Sequence, residues 1–175
     1  MNQNKRTLRG LTLMEALLFL GLAAVVIVGA FSLYNNASSS SNMNQARTEL
    51  QTYIGGVRSL YATSNDFSTV DTELVISANI APSAAVGTDS GGNPALINPW
   101  GGLTIIAGQT RSFTVEFEDI PDEACTAMLS SGLIDAGTIT SMAANGGTSY
   151  TAAITPAVAI SECDAGDNAV IFTAR

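Results

Sequence analysis

The sequence predicts an α+β protein, with a long N-terminal α-helix packed on a small antiparallel β-sheet domain. Three observations point to it. An uncharged, apolar run of 19 residues, Ala16 to Tyr34, is followed by apolar residues at three- and four-residue steps as far as Tyr61. Two alternating segments flank Gly108-Gln109 and read as a hairpin. Two cysteines, Cys125 and Cys163, then frame the later part of the chain.

Residues 1–10 carry Lys5, Arg6 and Arg9 and read as a leader that takes no part in the fold. Residues 11–34 form the hydrophobic half of the helix. At ~1.5 Å per residue, the 19 uncharged residues from Ala16 to Tyr34 span roughly 28 Å, about the hydrocarbon thickness of a bilayer. The cations lie on the N-terminal side, so the N-terminus is expected in the cytoplasm and the rest outside it. Glu15 stands at the head of the run. A carboxylate in a membrane helix costs roughly 2.5–3.5 kcal/mol, so its default reading is functional. The plain alternative is a headgroup-level position beside a helix N-terminus. A secretory signal peptide fits poorly, because the run is too long and starts with Glu15.

Residues 35–62 form the amphipathic half. Met43, Ala46, Leu50, Tyr53, Ile54, Val57, Leu60 and Tyr61 make one stripe, with Arg47, Glu49, Gln51 and Arg58 off it. Ser38 to Ser41 are weak helix formers and could be a linker. The stripe beyond them favours one helix from about Leu11 to Ala62.

Residues 63–175 form the head domain. Thr63 to Pro99 reads as a connecting region ending in turn chemistry, Asn98-Pro99-Trp100-Gly101-Gly102, with Trp100 as a core plug. Leu103 to Ala107 and Ser112 to Glu118 are strands, the second turning Phe113, Val115 and Phe117 to one side. Pro121-Asp122-Glu123 opens a short helix with Cys125, Met128 and Leu129 inward and Gly132 as its stop. Leu133 to Glu162 reads as irregular, with a strand expected at Ser149 to Thr155. Asn168 to Ala174 is the last strand, with Val170 and Phe172 inward. No internal repeat is evident.

Composition narrows the function. Charged residues are only 13% of the chain, against about 25% in an average soluble protein. Ala, Gly, Ser and Thr take their place, which suits close packing of copies. The net charge of −8 becomes −11 once Lys5, Arg6 and Arg9 are removed, so direct nucleic acid binding is not expected. The chain has no histidine, and so lacks the commonest general base and metal ligand. No enzyme activity, cofactor or metal is expected. The acidic group Glu116, Glu118, Asp119, Asp122 and Glu123 reads as a solvated edge before a calcium site, and Asp164 to Asn168 as a turn. An even cysteine count in an exported domain reads as a Cys125–Cys163 disulfide bounding residues 125–163. Free buried thiols are the alternative.

Gly10-Leu11-Thr12-Leu13-Met14-Glu15, with the basic leader before it and the apolar run after it, resembles the processing site of type IV prepilins. The resemblance implies a cut between Gly10 and Leu11 by the prepilin peptidase, N-methylation of Leu11, and use of Glu15 in assembly. Asn98-Pro99-Trp100-Gly101-Gly102, the hairpin, Ile120-Pro121 and the two cysteines resemble the type IVb subclass, particularly major subunits of thin conjugative or gut-colonising pili. This implies an inner-membrane precursor and an extracellular helical homopolymer, a fimbrium for cell adhesion, aggregation or conjugation. It also implies the pilus assembly machinery as a partner. Any helix unwinding in such a fibre is expected near Gly21 to Gly29. A pseudopilin of a type II secretion system is the alternative, and an anchored single-span periplasmic protein a more distant one. A Cys125–Cys163 bridge would count against the pseudopilin.

Overall fold

The computed structural model describes residues 12–64 and 66–175. Contacts divide the chain into two compact units at Ser40/Ser41. One helix, α1 (Leu13–Leu60), contributes to both. Its first part exposes large apolar side chains: Leu13, Phe19, Val25, Phe31 and Tyr34 are between 60 and 82% exposed. Leu13–Leu60 is long and apolar enough to cross a membrane. The serine run did not interrupt it, and Ser38 to Ser41 are helical.

In the Ser41–Arg175 unit, α1 lies on an antiparallel sheet. Ala46, Leu50, Tyr53, Ile54 and Val57 are buried, while Met43 and Tyr61 pack on the edge of the same cluster. Each fully buried leucine, isoleucine or valine of this stripe contributes roughly 1.5–3 kcal/mol. Two assignments of the stripe fail. Leu60 is half exposed, and Glu49, placed off the stripe, is only 3% exposed. Position 49 lies one turn from Tyr53 and beside Ala46 on the wheel, so the buried arc is wider than the apolar residues alone mark.

The sheet comprises β1 (Val86–Thr88), β2 (Pro94–Ile97), β3 (Leu103–Gly108), β4 (Phe113–Pro121), β5 (Ile139–Ala144) and β6 (Asp167–Ala174). Their order is β1-β2-β3-β4-β6-β5, with every pairing antiparallel. The predicted β3–β4 hairpin and the last strand are present. Phe113, Val115 and Phe117 are buried on alternate positions, as are Asn168, Val170, Phe172 and Ala174. Between Phe117 and Ile120 the β4–β6 register shifts. Asp119 sits there at φ 53°, and the extra residue returns Ile120 to the core face.

Three further helices complete the unit: α2 (Thr72–Ser77), α3 (Asp122–Leu129) and α4 (Pro156–Glu162). The connecting region read from Thr63 to Pro99 is more ordered than expected. It holds α2, started by Asp71 accepting from Leu74 N–H at 2.7 Å, and the β1–β2 pair. α3 places Cys125, Met128 and Leu129 inward as expected, but ends at Leu129, before Gly132. Gly132 instead starts a 3-10 turn, Leu133–Ala136, at φ 66°. The strand expected at Ser149 to Thr155 is absent. Only Tyr150 bridges to Met142, while the real strand of that segment is β5 and its real helix α4.

Candidate assembly site

Gly10 and Leu11, the predicted cleavage pair, lie outside the described residues. Glu15 lies in the first turn of α1 and is exposed. Its backbone N–H donates to Thr12 Oγ1 at 3.3 Å, so the hydroxyl caps the helix start. The pattern Thr12-Leu13-Met14-Glu15 is that of a capping box, which marks the helix start in the sequence itself. The arrangement holds the glutamate at the helix head, with an apolar surface from Leu17 to Tyr34 below it. Such an array has one charge to position and a long greasy face to cover.

The support for that helix in the Ser41–Arg175 unit contains an unusual polar pair. Gln45 Nε2 donates to Glu49 Oε1 at 2.9 Å, but Oε2 has no hydrogen-bond partner among the described residues. Burial raises the Glu49 carboxyl above its ordinary value, against the lowering effect of Gln45. The Tyr53 hydroxyl, one turn on, is also buried with no partner among the described residues. Its pKa is raised, first by burial and then by the Glu49 charge.

The Asn98-Pro99-Trp100-Gly101-Gly102 turn acts as a clip. The 3%-exposed Asn98 donates from Nδ2 to the carbonyls of Leu103 (3.3 Å) and Glu118 (2.6 Å). Its Oδ1 accepts from the N–H groups of Trp100 (2.9 Å) and Gly102 (3.2 Å). The turn is thereby pinned to the β4 bulge. Gly102 has to be glycine because a Cβ there would meet the Glu118 carbonyl oxygen. Trp100 is partly buried against the core, as a plug would be.

Cys125 and Cys163 are joined, which ties α3 to the end of α4. The Asp164–Asp167 segment is a turn organised by buried Asn168. That residue accepts from Asp164 N–H at 2.7 Å and donates to the Asp164 and Gly166 carbonyls. Tyr150 hydroxyl donates to Glu162 Oε1 at 2.7 Å; this bond, above all, raises its pKa. Among the described residues no group of three or more metal-ligating side chains is placed to hold a metal ion.

Comparison with known proteins agrees with this architecture. The family model described as PilS N terminal matches residues 40–175. The major structural subunit of bundle-forming pilus from Escherichia coli O127:H6 is 29% identical over 99 residues, covering 57% of this chain and 50% of that protein. The same description and figures hold for a second relative, from Escherichia coli O111:H-. The chain thus spans about half the length of the curated relatives it matches. A type IV b pilin from Salmonella typhi superposes with a TM-score of 0.61 at 26% identity, covering 74% of this chain and 97% of that one. TcpA, a type IV pilin from Vibrio cholerae El Tor biotype, is 11% identical with a TM-score of 0.54, covering 77% of this chain and 99% of its own. That second likeness speaks for the fold alone. With the family match extending over the whole sheet and its bridged region, this chain belongs to the PilS family of type IVb pilins.

Proposed function

We propose that the chain is a major structural subunit of a type IVb pilus, polymerising through α1 into an extracellular fibre. The precursor is held in the inner membrane by the apolar half of α1, with residues 1–10 cytoplasmic and the head outside. The prepilin peptidase cuts between Gly10 and Leu11, and Leu11 becomes the N-methylated terminus. The assembly machinery then moves the helix from lipid into a bundle of copies of itself. The observation that carries this reading is the uncovered apolar surface of α1 from Leu17 to Tyr34, with Glu15 at its head.

In the fibre, Glu15 pairs with the Leu11 ammonium of a neighbouring subunit. Either charge alone in an apolar core is destabilising by roughly 3–5 kcal/mol, so the pair sets axial register. The Cys125–Cys163 bridge speaks against the pseudopilin alternative. Mass spectrometry of the mature N-terminus is the first test. A chain beginning at methylated Leu11 is expected, and one retaining Met1 in cells with the complete export apparatus would reject the reading. Glu15→Val should leave cleavage intact and abolish fibres.

A further inference from the structure

The Ser41–Arg175 unit distributes its charges unevenly along β4 and β6. Beyond residue 10 the chain has four cationic side chains, all arginine, against fifteen side-chain carboxylates. No ion pair joins Arg47, Arg58, Arg111 or Arg175 to a carboxylate among the described residues. Antiparallel pairing sets Phe113 opposite Ala174 at one end and Pro121 opposite Asp167 at the other. Arg111 lies two residues before Phe113, and Arg175 follows Ala174, so both belong to the first end. Arg58 shares a groove there of about 510 Å³ with Arg175, walled also by Ser59, Tyr61 and Phe67. Of the described carboxylates near that end, Asp66 and Asp71 each accept from a backbone N–H, of Ser68 and Leu74.

The other end is acidic. Asp119, Asp122, Glu123, Asp164 and Asp167 are all exposed there. Asp122 and Glu123 border a groove of about 640 Å³ between α3 and α4, with Ile160, 64% exposed, on its rim. Among the described residues, one unit therefore presents a groove with two arginines in no ion pair and a groove rimmed by carboxylates, at opposite ends of the same two strands.

We propose that these ends dock on each other between copies of this chain, the Arg58–Arg175 groove receiving the Asp122–Glu123 rim of the next copy. This rests on the polymer reading above. A chain of net charge −11 repels its own copies, so close packing needs contacts where opposite charges meet. Guanidinium forks suit carboxylates. A contact between two different ends of one unit is heterologous and does not close on itself, which is the geometry of a filament. Exposed ion pairs are individually weak, so the contact supplies register and a sensitivity to salt.

The test is charge exchange in cells that carry the complete export and assembly apparatus and make the full chain. The ratio of sheared surface fibre to mature membrane-held subunit is measured, with formation of the Cys125–Cys163 bridge as the folding control. Arg58→Glu with Arg175→Glu is expected to lower the ratio about tenfold, equivalent to about 1.4 kcal/mol per added subunit. Asp122→Arg with Glu123→Arg should do the same. All four changes together should restore the ratio to within about threefold of the unmodified chain, as coupled neighbours do. An unaltered ratio in either pair of reversals, or a fourfold exchange no better than either pair, overturns the docking and leaves the polymer reading standing. Absence of fibre from the unmodified chain overturns both.

Discussion

Removing the disulfide tests how the C-terminal half of the head is held. The bridge closes a loop of sequence separation 38 that contains β5 and α4. On the chain-entropy account, releasing such a loop gives the unfolded chain about 13 cal/mol/K, or about 4 kcal/mol at 25 °C. Cys125→Ala with Cys163→Ala avoids burying a hydroxyl where Cys125 is fully covered. With a urea slope of about 2 kcal/mol/M for a unit of this size, the midpoint should fall by about 2 M. Trp100, the chain's one tryptophan, packs against the core and reports unfolding by fluorescence of the full chain in detergent. The reduced unmodified protein should behave like the double variant. A fall of less than about 0.5 M at unchanged slope would show that contacts, not the closed loop, hold this region.

Three other outcomes follow from the same geometry. Asn98→Ala removes four hydrogen bonds at the buried clip and should destabilise the head by about 3 kcal/mol, seen as a lower urea midpoint. Gly108→Ala puts a Cβ against the Phe67 carbonyl and the Val70 backbone and should cost about 2 kcal/mol or more in the same assay. Glu49 has a raised pKa in the folded state, so the folded protein holds that proton more tightly than the unfolded chain. Stability from this source is complete below the ordinary value and is lost as pH rises through the folded one. Glu49→Gln should therefore be the flatter of the two on going from acid to neutral pH, measured as the difference between unfolding profiles. Identical profiles would show that Glu49 is not buried. Asp66 and Asp89 work in the opposite sense, because hydrogen bonds from Ser68 and Asn93 lower their pKa values, and the subtraction removes them.

What the sequence reveals depends on how each element earns its stability. α1 was legible because an apolar run and a 3.6-residue stripe both persist through the serines. β3, β4 and β6 were legible because aromatic and branched residues alternate over a full strand. β5 was not, since Thr140, Ser141 and Ala143 give little contrast and its pairing with β6 supplies the order. Tyr150 to Ile154 mimics alternation but contributes a single bridge to Met142. α4 has only seven residues, and its proline start at Pro156 was outweighed by the surrounding alanines and threonines. Glu49 was misplaced because hydropathy alone cannot say how far a sheet wraps around a helix. At the candidate site, Glu15 stands out as a charge against an apolar run, and Thr12 three residues earlier completes a capping pattern that the backbone N–H of Glu15 satisfies.

On the proposed function, the apolar half of α1 exchanges lipid for its own copies and Glu15 places it among them. A fibre map at side-chain resolution shows whether it does. It should show Leu17 to Tyr34 enclosed by neighbouring helices and the Glu15 carboxylate within about 4 Å of the Leu11 nitrogen of an adjacent subunit, the reach of an ion pair. Solvent on that helix surface, or a Glu15 facing no cation, would contradict it.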